Sequence, residues 1–240
     1  MFWDIGANNG VDSVLALRAG ATRVVAVEPQ PRMALELRRT FARLDRTRNH
    51  TRVVEAAFTT HAPSDSFVDF LMSSYSVFSR SDGPGAKSSK ACNTPRNVTC
   101  TSTQVRAISP ARLLSEEGCP QVLKVDTNVN ALPPLRALFA QQCTPALVAI
   151  EISVDSQMPL MHLLAREQDY RAFKLVPQAP LQARWPRSSG PLGDFALGYV
   201  DCAGSGTLGA QWVSAAQASS FLGTRESVCA SGWRDLHARL

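Results

Sequence analysis

Phe2-Trp3-Asp4-Ile5-Gly6-Ala7-Asn8-Asn9-Gly10 lies at the start of the sequence, and Arg23-Val24-Val25-Ala26-Val27-Glu28-Pro29 follows after an apolar stretch. The first segment reads as a short strand running into a glycine-bearing turn, the second as a strand that ends in an acid. Strand, turn, helix and acid-ended strand, in that order, form the opening of a doubly wound α/β sheet. In such sheets a nucleotide-type ligand rests on the first turn, and an acid at the end of the second strand accepts hydrogen bonds from a ribose. Glu28 occupies that position.

The glycine spacing narrows the ligand. A dinucleotide turn follows G-x-G-x-x-G, whose second glycine lets the backbone touch a pyrophosphate. Here Gly6 and Gly10 have Asn8 between them, which makes a phosphate pair less welcome. S-Adenosylmethionine (SAM) has a ribose and an adenine but no phosphate, and its carboxylate needs only a tight turn and free N–H groups at a helix N-terminus. SAM fits better than NAD. Many α/β proteins have a glycine-bearing first turn; the acid-ended strand after it is what marks a ligand site.

Outward from this stretch, Val11 to Ala19 predicts a short helix stopped by Gly20, and Arg23 to Val27 a second strand. Pro31 starts a helix with Met33, Leu37, Phe41 and Leu44 on one face. Residues 52–58 read as a third strand. From about 59 to 108 the α/β rhythm lapses into an insertion, with a hairpin expected from Phe67 to Leu71 and Tyr75 to Phe78, then a stretch rich in Gly, Pro and Ser. The rhythm resumes with a helix from Ser109 to Glu117, a strand from Gln121 to Asp126 and a helix from Pro133 to about Gln142. A strand from Ala146 to Glu151, a helix over 158–167 and a strand from Tyr170 to Val176 follow. Phe195 to Val200 is expected as the last strand, with helical stretches near 214–222 and 232–239.

At 240 residues, 45% hydrophobic and 19% charged, the composition is that of an ordinary globular protein with one core. One domain over 1–240 is expected, with the insertion at about 59–108 and a C-terminal extension at about 202–240. The net charge of +5 comes almost entirely from arginine, because lysine occurs only at 87, 90, 124 and 174. The arginines form no basic run and have no aromatic interleaving, so no nucleic-acid partner is expected. No apolar run is long enough to span a membrane. Only three residues precede Asp4, short for a first strand, and whether the N-terminus is truncated does not follow from the sequence.

The six cysteines, at 92, 100, 119, 143, 202 and 229, lack zinc-type spacing, and no metal site is assigned. Cys92 and Cys100 bracket one polar loop, and Cys202 and Cys229 bracket the tail, which suggests two local disulfides without determining them. Asn49-His50-Thr51 and Asn97-Val98-Thr99 are glycosylation acceptors in a secretory lumen. These features tilt the expected compartment toward that lumen, the alternative being buried free thiols in a cytosolic protein.

Three pieces now stand in register: Asp4-Ile5-Gly6-Ala7-Asn8-Asn9-Gly10, Glu28-Pro29 and Leu123-Lys124-Val125-Asp126. Together they resemble the FkbM-type family of SAM-dependent methyltransferases, with D-x-G-A-N-x-G, acid-Pro and L-K-[IV]-D motifs. The likeness extends through Val148-Ala149-Ile150-Glu151 and Asp169-Tyr170-Arg171, covering roughly residues 2–176. It implies a three-layer class I methyltransferase fold, Rossmann-like, with a seven-stranded, mainly parallel sheet whose last strand is antiparallel. It also implies methyl transfer to an oxygen of a sugar or other polyhydroxy acceptor. Carried over, Asp4, Gly6, Asn8 and Gly10 line the methionine end of SAM, Glu28 holds the ribose, and Glu55 or Ala56 lies by the adenine. One departure stands out: the family follows its L-K-[IV]-D with a small residue, Glu and Gly, whereas Asp126 precedes Thr127-Asn128-Val129.

A sugar hydroxyl is a poor nucleophile, so its methylation asks for close, collinear placement and a base. Lys124 and Asp126 are two apart on a strand and share a face; Asp126, nearest the carboxyl edge, is the candidate for orienting or deprotonating the acceptor. The competing reading is a structural Lys124–Asp126 pair. Asn128 can hydrogen-bond but cannot take a proton at neutral pH. Glu151 and His61 are secondary candidates; His162 reads as surface or core, and a cation held by Asp126, Asn128 and Asp155 is not assigned. The leading expectation is an O-methyltransferase with a small-molecule or glycan acceptor. The alternatives are a SAM-fold binding module without catalysis and, behind it, an NAD-dependent oxidoreductase. The oligomeric state does not follow from the sequence.

Overall fold

The computed structural model describes residues 1–45, 50–73, 80–81, 100–127, 131–152, 156–177, 212–223 and 234–240. Seven strands form the main sheet: β1 Phe2–Ile5, β2 Val24–Val27, β3 Thr51–Val54, β8 Val122–Val125, β9 Leu147–Ile152, β10 Ala172–Pro177 and β11 Arg234–Arg239. Their spatial order is β10-β11-β9-β8-β1-β2-β3. All neighbours are parallel except at β11, which is antiparallel to both β10 and β9. This is the expected Rossmann-like methyltransferase arrangement, with the chain reversing its direction of travel across the sheet between β1 and β8.

Helices cover both faces, as a sheet of apolar parallel strands requires. α1 (Val11–Arg18) and α2 (Pro31–Leu44) lie on one side. There Leu37 and Phe41 pack on Phe2, Val24 and Ala26. The other side carries α3 (Pro110–Glu117), α4 (Leu132–Phe139), α5 (Gln157–His162) continued by a π-helical turn over Leu163–Glu167, and α6 (Ala215–Gly223). Their apolar residues meet Trp3, Ile5, Val25, Leu123, Val125, Val148 and Ile150 in the larger core. Alternation along β1 thus sends Trp3 and Ile5 into one core, and Phe2 and Asp4 to the opposite face.

An ionic staple around one buried carboxylate fastens the amino edge. Glu117, at the end of α3 with a fully buried side chain, accepts from Arg23 Nε at 2.8 Å and also from Arg52. Arg52 in turn meets Glu116 at 2.5 Å. A disulfide, Cys119–Cys143, joins the segments after α3 and α4. It is a pairing that the loop-bracketing reading of the cysteines did not include; Cys92, Cys202 and Cys229 lie outside the described residues.

Three expectations change. The predicted third strand splits: β3 stays in the main sheet, while β4 (Ala57–Phe58) leaves it for a second sheet of order β4-β7-β5-β6, with β5 Phe67–Ser73, β6 Arg80–Ser81 and β7 Cys100–Ile108. In that sheet β5 pairs along its length with β7 and briefly with β6, so the insertion is a small sheet built around β7; Tyr75 to Phe78 lies outside the described residues. The helix expected over 232–239 is strand β11. Its Arg, Leu and Ala residues suit a helix, but the gap between β9 and β10 takes a strand, burying Leu236 and Ala238 on the core face and placing Asp235 and His237 on the other. Tertiary pairing overrides local propensity there. The strand expected at Phe195 to Val200 is outside the described residues.

Candidate functional site

The turn after β1 is clamped from two sides. Gly6 and Ala7 N–H both donate to the Val27 carbonyl, at 2.9 and 3.1 Å, and Gly10 N–H donates to the Ala7 carbonyl at 2.8 Å. Gly6 and Gly10 have φ of +79°, and Asn8 has φ of 48°, a left-handed value that asparagine tolerates. A β-carbon at Gly6 would lie 1.7 Å from the Asp126 carbonyl oxygen. Only a glycine allows the turn to seat against the end of β8. α1 begins from Gly10, which supplies no side-chain cap, and the N–H groups of a helix's first turn are donors that suit an anionic group.

Glu28 is tied into this turn. Its Oε2 accepts from Asn8 N–H at 2.8 Å and its Oε1 from Gln30 N–H at 2.8 Å, in a side chain only 3% exposed. Burial is the main influence on its acidity and pushes the pKa up to about 7; the two backbone donors pull against it, while Asp4 and Asp126 add to the rise. Each carboxylate oxygen keeps further acceptor capacity. The acid expected to hold a ribose is thus buried and bonded to the turn backbone.

Behind the turn sits a compact ionic cluster. Lys124 Nζ lies 2.9 Å from Asp12 Oδ2, 3.4 Å from Asp126 Oδ2 and 3.7 Å from Asp4 Oδ1. Burial opposes the charge on Lys124, but Asp12, Asp126 and Asp4 outweigh it and hold its pKa well above the ordinary lysine range. Asp4 is completely buried: Ser13 Oγ donates to its Oδ2 at 2.6 Å, while its Oδ1 has no hydrogen-bond partner among the described residues. Burial drives its pKa up, against the pull of Lys124 and Ser13. The Lys124–Asp126 pair that strand alternation suggests is present at 3.4 Å, and Asp12 lies nearer still. Asp12 and Ser13 are not marked by the motifs because they fall in the first turn of α1, outside the glycine motif. Their signal was a lone lysine on an otherwise apolar strand, which needs a counter-charge from whatever helix covers it.

Asp126 keeps its carboxylate 32% exposed, just beyond β8 at the carboxyl edge. Its N–H donates to the Ile5 carbonyl at 2.9 Å, continuing the β1–β8 pairing past the strand end. Glu151, on β9, lies opposite Asp235 of β11 in register. Asn128 and Asp155 lie outside the described residues. His61 is exposed, and His162, also exposed, meets Glu167 at 3.2 Å on the surface.

Glu55 and Ala56 follow β3 and line, with Pro29, one end of a groove of about 540 Å³ between the main sheet and β7. Ala56 is buried, whereas Glu55 is half exposed and bonded to Arg38 at 2.7 Å. Of the two, Ala56 offers the flat apolar contact that a base needs. Among the described residues no helix is long and apolar enough to cross a membrane.

The chain resembles the solved structure of a methyltransferase FkbM from Methylobacillus flagellatus KT, with 16% identity and a TM-score of 0.45, over 75% of this chain and 40% of that one. The chain therefore spans less than half the length of that protein. No curated protein matches. Residues 4–172, which run from the turn acid Asp4 to the start of β10, match the methyltransferase FkbM domain, and the chain belongs to that family of methyltransferases.

Proposed function

We propose that the chain is a SAM-dependent methyltransferase that methylates a hydroxyl of a sugar or other polyhydroxy acceptor. The observation that carries this reading is the bond between Glu28 and the turn: a buried carboxylate, held by Asn8 and Gln30 N–H beside a turn that begins and ends on glycines. That arrangement suits a ribose beside a methionine moiety. The residues fit SAM by donor and acceptor type. Glu28 accepts from the ribose hydroxyls, the uncapped start of α1 receives the carboxylate, and Ala56 with Pro29 flanks the adenine.

When bound, SAM supplies an electrophilic methyl group on a positively charged sulfur. Asp126 orients the acceptor hydroxyl and takes up its proton, standing at the carboxyl edge where α/β sheets place their chemistry. Lys124 is too deeply committed to three carboxylates to act as a base. A second reading, a SAM-binding module without turnover, is favoured by Asn128, which stands where the family carries an acid. The Cys119–Cys143 disulfide supports an oxidising compartment such as a secretory lumen.

Calorimetry with SAM, its demethylated product S-adenosylhomocysteine (SAH) and NAD tests the reading. SAM and SAH are expected to bind and NAD not; Glu28→Ala is expected to remove most of the SAM affinity. Binding of NAD alone would sink it. SAM binding with no turnover on a broad panel of glycosides and polyols would favour the binding module.

A further inference from the structure

The acids around the turn outnumber the bases. Asp4, Asp12 and Asp126 share the single ammonium of Lys124, so the cluster carries two excess negative charges when all are ionised. It sits against the turn: Gly6 touches the Asp126 backbone, and Asp12 belongs to the helix turn that follows Gly10. Asp4 adds a fully buried oxygen, Oδ1, with no hydrogen-bond donor among the described residues and only Lys124, at 3.7 Å, to offset it. The field of the cluster also reaches across the turn, since Asp4 and Asp126 both act on Glu28. A partly buried excess of negative charge beside a ligand site favours a cation over a neutral ligand of the same shape.

On the reading of this turn as the SAM site, we infer that Asp12 is a specificity-determining residue: through the excess negative charge it adds around Lys124, it makes the site prefer the charged methyl donor over the neutral spent product. SAM and SAH differ by one methyl and one positive charge at sulfur. Departure of the methyl takes the C–S bonding pair back to sulfur and abolishes that charge, so a negative site loosens its hold as soon as transfer is complete. Asp12 is the member of the cluster suited to this task. It makes the shortest contact with Lys124, 2.9 Å, it is on the helix next to the turn, and neither the glycine motif nor the acceptor side depends on it.

The inference is tested by measuring dissociation constants for SAM, SAH and sinefungin, in which a protonated amine replaces the methylsulfonium, on the unaltered chain, Asp12→Asn and Asp12→Glu. The unaltered chain is expected to bind SAM and sinefungin about tenfold more tightly than SAH, as one charge at the far side of a partly buried site dictates. Asp12→Asn is expected to cut both preferences to about threefold, because it removes part of the excess negative charge, and Asp12→Glu to preserve them. A purely structural role would weaken all three ligands alike, leaving the ratios unmoved, and that outcome overturns the inference. So would a preference for SAM that sinefungin does not share, since it would trace to the methyl group and not to charge. If Asp12→Asn fails to fold, Asp126→Asn removes a charge from the same cluster and must lower the same ratios. Failure of the unaltered chain to bind SAM or SAH would instead overturn the cofactor reading, and this inference with it.

Discussion

Asn8 and Glu28 are 20 residues apart in the sequence and joined by a 2.8 Å hydrogen bond in the fold, the Asn8 N–H donating to Glu28 Oε2. The bond links the two halves of the motif into one unit: the left-handed turn that only small or polar residues adopt, and the acid that ends β2. It also places a carboxylate with a pKa of about 7 in the middle of the site. A ligand hydroxyl offered to that carboxylate completes a set of donors that the backbone has already begun.

That pKa has consequences for stability. Glu28 has an ordinary value of 4.5 when unfolded and about 7 when folded. Below pH 4.5 it is protonated in both states; between 4.5 and 7 the unfolded chain releases the proton while the folded chain keeps it, so stability falls as pH rises. The loss through this window is about 3 kcal/mol, then constant above it. Urea denaturation of the parent and of Glu28→Gln at pH 5, 6, 7 and 8 is expected to show the gap between them moving in the variant's favour by that order, whatever fixed cost the amide carries. Parallel pH curves would contradict the assignment. Because ribose hydroxyls donate best to the ionised form, SAM affinity is expected to rise about tenfold from pH 6 to 8.

The two turn glycines are expected to respond differently to alanine. At Gly6 the new methyl would meet the Asp126 carbonyl oxygen at 1.7 Å, a backbone atom that cannot step aside without moving β8. At Gly10 it would meet Leu37 Cδ2 at 2.2 Å, the end of a buried side chain, which can yield further than backbone can. Both also pay for a φ of +79°. Gly6→Ala is expected to cost at least about 3 kcal/mol and Gly10→Ala about 1–2 kcal/mol. Thermal unfolding that ranks them in the reverse order would show that the turn is not seated against β8.

Residues 2–28 were readable because each local signal agreed with the next: apolar strand, glycine spacing, short helix stopped by Gly20, acid-ended strand. Lys124 and Asp126 were legible as a same-face pair for the same reason, by strand alternation alone. Asp12 was not, since its role depends on the start of α1 coming within reach of Lys124 on β8, a relation between segments more than 100 residues apart. β7 was hidden by composition: Thr103, Val105 and Ala107 alternate with exposed Gln104 and Arg106, but small and polar residues make the period weak. β11 was misread because the pull of two neighbouring strands is not written in its own six residues. Glu55 was offered equally with Ala56, and only packing separates them, one half exposed beside Arg38 and the other buried.

The disulfide closes the amino edge, and its removal is expected to separate stability from binding. Cys119 and Cys143 are 24 residues apart and precede β8 and β9, opposite to the edge where Glu28 and Asp126 stand. Replacing both by alanine is expected to cost about 3 kcal/mol, the amount associated with opening a loop of that length. Below the new melting temperature SAM affinity is expected to stay within twofold of the parent, as read by calorimetry. A large fall in affinity would mean that the bridge holds the position of β8 as well as its stability.

Asp126 offers the sharpest test of the acceptor side. Its carboxylate is part exposed at the carboxyl edge, while its backbone is held by Ile5 and crowded by Gly6. The side chain can therefore change without moving the strand. If it takes the proton of a poorly nucleophilic hydroxyl, Asp126→Asn at saturating SAM is expected to lower kcat by about 10²–10⁴-fold. The loss should shrink for an acceptor with a more acidic hydroxyl, such as a phenol, because such an oxygen ionises without help. If Asp126 only balances Lys124, the amide should reduce turnover of both acceptors equally, and Lys124→Met should restore part of the stability lost in Asp126→Asn. The ratio between acceptors, measured at the same SAM saturation, separates a proton acceptor from a counter-charge.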